Sequence, residues 1–124
     1  MNALIVEDDD IDAQHMARIL RGSIFENVNI RFARTLEEAQ VQIAIDIPTV
    51  MILDLALPPS TAMDTLRGMA DHIKNIPTLV VTGRSDAEAA LLAIEEGALG
   101  FLLKSKLDEM LCKMVVEVAE TWRR

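Results

Sequence analysis

The chain is predicted to fold as a doubly wound α/β domain: a five-stranded parallel sheet of order 2-1-3-4-5, with five helices on its two faces. Three observations predict it. Five short apolar runs recur along the chain, Ala3–Val6, Val28–Phe32, Val50–Leu53, Thr78–Val81 and Leu99–Leu103. Several are rich in Val, Ile or Leu and most do not alternate with polar residues, the pattern of strands buried on both faces. Segments with helical spacing separate the runs, and strict alternation of strand and helix implies a parallel sheet covered on both sides. Right-handed crossovers leave few topologies, and with five strands the order 2-1-3-4-5 fits best.

Each element has its own signals. After the first run, Ile11, His15 and Ile19 recur at helical spacing, as do Met16 and Leu20, and Gly22 stands where a left-handed residue ends a helix. One of the acids Glu7 to Asp10 is expected to cap that helix. Leu36, Ala39 and Ile43 mark the second helix, which Thr35 and Glu38 open with capping-box spacing. Thr61 with Asp64, Ser85 with Glu88 and Ser105 with Asp108 repeat that spacing before the third, fourth and fifth helices. Pro48 and Pro77 each stop a helical segment before a strand. In the fourth helix Ala87, Leu91 and Ile94 are expected to face the core, with Leu92 pointing elsewhere and Gly97 ending the helix. In the last helix Leu107, Leu111, Val115 and Val118 form the core stripe, with Met110, Cys112, Met114 and Val116 beside it. This apolar surplus suggests a homodimer or partner surface.

Composition narrows the functions. At 124 residues and 51% apolar content, residues 1–124 suit one folded domain with one core. A net charge of −8 argues against direct nucleic-acid binding, and with no Tyr and only Trp122, stacking on bases is not supported either. No apolar run approaches the ~18 residues of a membrane span. The start, MNALIVEDDD, has no basic segment before its apolar stretch and does not read as a secretory signal. The single Cys112 forms no internal disulfide, which fits a reducing cytoplasm, and it reads as a core thiol. The seven methionines read as core filling. His15 and His72 have no second ligand at metal spacing and read as ordinary helix residues.

In such sheets ligands bind beyond the carboxyl ends of the strands, where strand order reverses. The first strand leaves through Glu7, Asp8, Asp9 and Asp10, the third through Asp54, the fourth through Thr82 and the fifth through Lys104. Taken singly, these read as caps, turns and solvated ends. Taken together, they meet at one rim. Carboxylates held together repel one another, and Mg²⁺, which takes about six oxygen ligands, relieves this. A carboxylate so placed can attack phosphorus to give an acyl phosphate, with Lys104 balancing phosphoryl charge and Thr82 hydrogen-bonding an oxygen.

With these residues in place, the sequence resembles the receiver domain of a two-component response regulator. The motifs are LIVEDDD, MILDLALP, LVVTG and GFLLKS, in that order and spacing, and the resemblance covers essentially the whole chain. It implies a flavodoxin-like fold and phosphotransfer from a histidine kinase or a phosphotransfer protein to Asp54. It also implies a Mg²⁺ site made by Glu7, Asp8, Asp54 and the backbone carbonyl of Ala56, a switch hydroxyl at Thr82, a phosphate-contacting Lys104 and an aromatic switch residue at Phe101. On that reading the protein is a regulatory phosphoacceptor rather than an enzyme, cytoplasmic, and it passes its signal to an effector through the surface of the fourth and fifth helices.

The chain departs from the family pattern at three places. Ser105 follows the lysine where the family usually has proline. A cis bond without proline costs about 3–4 kcal/mol, so Lys104–Ser105 is expected to be trans and Ser105 to cap the last helix. Ala62 stands in the loop after Pro58 and Pro59 where the family often has glycine, so that loop is expected to take another shape. Ala56 and Arg84 flank the pocket and are expected to affect water access. Two rival readings are a receiver-like interaction module that is never phosphorylated and a Mg²⁺-dependent phosphohydrolase. The complete set of acids, Thr and Lys speaks against the first. Ala56 speaks against the second, whose usual form needs an acid two residues after the nucleophile.

Overall fold

A computed structural model of the chain describes residues 1–23 and 27–122. The strands are β1 (Asn2–Val6), β2 (Asn29–Ala33), β3 (Val50–Leu53), β4 (Thr78–Thr82) and β5 (Gly100–Leu103). The helices between them are α1 (Asp10–Arg21), α2 (Leu36–Ile45), α3 (Ala62–Asn75), α4 (Ala87–Glu95) and α5 (Leu107–Trp122), with short 3-10 turns at Arg84–Asp86 and Lys104–Lys106. All strand pairs are parallel and the order is β2-β1-β3-β4-β5, as expected.

The sheet divides two apolar layers. α1 and α5 cover one face, where Ala13, Met16, Ala17 and Leu20 meet Ile5, Ile52 and Val81 together with Leu107, Leu111, Val115 and Val118. α2, α3 and α4 cover the other, around Leu4, Met51, Leu53 and Val80. β1, β3 and β4 are buried on both sides, which is why their sequences read as unbroken apolar runs. Met16, Met51 and Met69 fill the core.

Local signals decide where several elements start and stop. The Asp9 side chain caps α1 through the Asp12 N–H at 3.0 Å, and Thr35 caps α2 through the Glu38 N–H at 3.1 Å. Thr61 and Asp64 form a full capping box on α3. Ser85 and Ser105 do not cap as expected. Each lies within a 3-10 turn that tightens the chain before its helix, and no side-chain cap is formed at either start. Gly97 takes φ +118° as expected, but Gly22 ends α1 at φ −85°, its N–H bonding the Arg18 carbonyl without any left-handed step.

Two helices face differently from the apolar spacing. In α1 the core positions belong to Ala13, Met16, Ala17 and Leu20, while Ile11 is 78% exposed and His15 is half-buried, pairing with Asp108 at 2.8 Å. α4 turns its small residues inward. Ala89, Ala90 and Ala93 rest against Val80 and the half-buried Phe101, leaving Leu91, Leu92 and Ile94 exposed. A helix apolar on more than one side has no unique stripe, and the alanine face permits the closer approach to the sheet. α5 presents the expected core row, but Cys112 falls beside it, half-buried, its thiol against the Ile19 carbonyl at 3.5 Å.

Candidate functional site

Strand register assembles the site. Val6 pairs with Leu53, so the residues that follow, Glu7 and Asp54, emerge side by side. The Glu7 N–H donates to the Ala33 carbonyl and the Asp54 N–H to the Val6 carbonyl, each at 2.9 Å, which fixes both backbones. Thr82 pairs with Leu103, so Lys104 leaves the sheet next to Thr82. Glu7, Asp54 and Thr82 are buried, and Asp8 is half-buried.

Ligand oxygens of Glu7, Asp8 and Asp54 lie within 4.8 Å of one another. The Lys104 ammonium reaches into this group, 2.7 Å from Glu7 Oε1, 2.8 Å from Asp54 Oδ2 and 2.9 Å from Asp12 Oδ2. Asp54 Oδ1 accepts the Ala56 N–H at 2.9 Å. Both oxygens of this 2% exposed carboxylate are therefore engaged, one by an amide and one by a cation. Glu7 Oε2 accepts the Asp9 N–H at 3.3 Å, whereas Glu7 Oε1 is buried with no hydrogen bond of good geometry. The Thr82 hydroxyl donates to the Gly83 carbonyl at 3.2 Å, turned to its own backbone.

The electrostatics follow from crowding. Burial, with the neighbouring Asp54 charge adding to it, pushes the Glu7 carboxyl from its ordinary 4.5 up to about 8. The 2.7 Å contact with Lys104 pulls the other way and is outweighed, because that one ammonium is shared among three acids. For Lys104, burial opposes the charge, but its close contacts with the Asp54, Glu7 and Asp12 carboxylates overcome it and raise its proton affinity. The pocket thus has a surplus of negative charge and a buried carboxylate oxygen lacking a good donor. Those are the features of an oxygen-lined site for a hard divalent cation.

Of the residues expected at the site, Glu7, Asp8, Asp54 and Lys104 converge, and the Ala56 N–H bonds Asp54. Lys104 is aimed inward although its bond to Ser105 is trans, Pro58–Pro59 being the one cis bond among the described residues. The loop before α3 closes with Ser60 N–H to the Leu57 carbonyl at 2.9 Å, and Ala62 opens α3 at no left-handed angle. The Arg84 side chain lies outside the described residues. Phe101 does not join the acids. It pairs with Val80, two residues before Thr82 on the same face of the sheet, and packs half-buried against the α4 layer. Asp12 was not anticipated, because strand-end logic does not search the first turn of the helix that follows. Its only sequence signal was the acidic run that precedes it.

Comparison with known proteins agrees with this geometry. The family model described as the response regulator receiver domain matches residues 3–116. The chain is 28% identical to response regulator MprA of Mycobacterium avium (strain 104) over 115 residues, covering 92% of this chain and 49% of that protein. It is 31% identical to the transcriptional regulatory protein FixJ of Rhizobium meliloti (strain 1021) over 71 residues, covering 57% of this chain and 35% of FixJ. The chain therefore spans half or less of the length of these relatives. Among solved structures, the receiver domain of NtrX from Brucella abortus superimposes with a TM-score of 0.83 at 25% identity, covering 96% of this chain and 98% of that one. The chain belongs to the response regulator receiver domains, the phosphorylation-dependent switches of two-component signalling.

Proposed function

We propose that Asp54 is the phosphoacceptor of this receiver, loaded by a histidine kinase or a phosphotransfer protein and read by an effector protein or domain. The observation that carries the reading is the setting of Asp54. It is a buried carboxylate at a strand end, held by the Ala56 N–H and the Lys104 ammonium and bordered by Glu7 and Asp8. An Asp54 oxygen attacks the phosphorus of a phosphohistidine. The new oxygen–phosphorus bond forms as the nitrogen–phosphorus bond breaks, and the departing imidazole nitrogen keeps the electron pair.

Glu7, Asp8, Asp54 and the Ala56 carbonyl are the residues that would hold Mg²⁺. When bound, the ion supplies positive charge against which phosphoryl oxygens can be placed. Lys104 balances charge on the transferred group, and the Thr82 hydroxyl turns from the Gly83 carbonyl to meet one of its oxygens. That movement opens space on the α4 side of the sheet, and Phe101 swings further inward, altering the face formed by α4, β5 and α5. Ligand and switch states are two packings whose populations shift. The protein assists only its own phosphorylation and dephosphorylation, acts in the cytoplasm, and uses that face for an effector or a second copy.

The test is incubation with acetyl phosphate and Mg²⁺ followed by mass spectrometry. One acid-labile phosphoryl adduct on Asp54, lost in Asp54→Asn and without Mg²⁺, is expected. An adduct elsewhere, or none, contradicts the assignment.

A further inference from the structure

The Lys104 ammonium is ringed by three acids, and its contact with Asp12 is the one with hydrogen-bond geometry among the described residues. A lysine ammonium has three N–H donors. Three carboxylate oxygens, on Glu7, Asp54 and Asp12, lie 2.7 to 2.9 Å from Nζ. With three acids this close, one of these contacts has to loosen as Lys104 turns to the transferred group. Burial decides which. Glu7 and Asp54 are 0% and 2% exposed at the side chain, and an acid left there without a cation is costly, whereas Asp12 is 38% exposed and water can replace the lysine. Asp12 is also held in place: its N–H is bound by the Asp9 cap at 3.0 Å in the first turn of α1. It is an anchored outer acid on the opposite element, 92 positions away from the lysine in the chain.

We propose that Asp12 is a positioning residue that tethers Lys104 at the mouth of the pocket and competes with the phosphoryl group for its ammonium. The proposal rests on the phosphoacceptor reading of Asp54 and goes beyond it by giving this chain a built-in brake. The unphosphorylated state keeps its lysine committed, and the phosphorylated state must release the Asp12 contact. Asp12 adds negative charge next to the incoming group as well, which disfavours loading in the same direction.

The experiment compares wild type, Asp12→Asn and Asp12→Glu with acetyl phosphate at saturating Mg²⁺. Asp12→Asn is expected to phosphorylate about fivefold faster, the effect of removing one charge a few ångströms away in a water-like dielectric. Asp12→Glu, which keeps the charge, is expected to return the rate towards wild type. Added salt should speed wild type more than Asp12→Asn, because it screens a tether the variant lacks. A rate in Asp12→Asn equal to or below wild type overturns the proposal. A second measurement does not depend on phosphotransfer: acylation of Lys104 by an amine-directed reagent, followed by mass spectrometry without Mg²⁺. Faster labelling of Lys104 in Asp12→Asn supports the tether, and equal labelling overturns it. Wild type that takes no phosphoryl group at all sinks the reading of Asp54, and the labelling result then decides the tether alone.

Discussion

Glu7 carries the charge that the pocket accommodates least easily. Its carboxyl is pushed to about 8 by burial beside Asp54, against an ordinary value of 4.5. Between those values the folded protein holds a proton that the unfolded chain does not, so stability falls as pH rises. The contribution is fully present below about 4.5 and is lost as pH passes about 8. Thermal unfolding of metal-free protein is therefore expected to show a falling melting temperature across that window, and Glu7→Gln, which mimics the protonated acid, to flatten that part of the profile. Mg²⁺ should flatten it too, since it replaces the proton. Lys104→Met is expected to slow loading of Asp54 by acetyl phosphate by at least about tenfold, measured as the rate of adduct formation, because a charge-assisted contact to the phosphoryl group is lost. At this scale the sequence was largely legible. Glu7, Asp54 and Lys104 stand directly after apolar runs, so a strand-end search finds them. Asp12 follows no strand, and only the folded helix brings it to Lys104.

Single elements test which local forces set the helix phases. α4 packs Ala90 and Ala93, both fully buried, against the sheet. Ala93→Leu is expected to cost about 1–3 kcal/mol by overpacking, read from urea unfolding. Leu91→Gln, on the exposed side, should stay within about 0.5 kcal/mol. The stripe read from sequence, Ala87, Leu91 and Ile94, requires a large loss at Leu91 instead. Thr61→Ala removes a formed capping box and is expected to cost about 1 kcal/mol, whereas Ser105→Ala, inside a 3-10 turn with no cap bond, is expected to have little effect. The contrast explains why identical spacing misled at Ser85 and Ser105. A capping-box pattern states which residues can bond, but a preceding 3-10 turn changes where the helix begins. Gly22 misled for a related reason, since an α-helix can end through a right-handed residue whose N–H still reaches the previous turn.

Across the whole molecule, parallel register links the acid site to a distant face. Leu53 pairs with Val80 and Val80 with Phe101, so the strand that carries Asp54 connects through β4 to the half-buried ring under α4. The strand order and the rim position of the site were readable because unbroken apolar runs alternate with helical segments, a pattern few topologies satisfy. The exposed apolar side of α4 was legible only at Leu92, because the helical spacing assigns Leu91 and Ile94 to the core. This face is where a change in Thr82 and Phe101 would be read. Thr82→Ala is expected to leave Asp54 able to take a phosphoryl group while the response of α4 and β5 is lost. The most direct measurement is the amide nitrogen–proton NMR spectrum of the protein with Mg²⁺, before and after acetyl phosphate. Mg²⁺ alone is expected to shift signals near Glu7, Asp8, Asp54 and Ala56, and phosphorylation is expected then to extend the shifts to Thr82, Phe101 and α4. Shifts that miss the acids, or a phosphorylated protein whose α4 and β5 signals do not move, would contradict this switch.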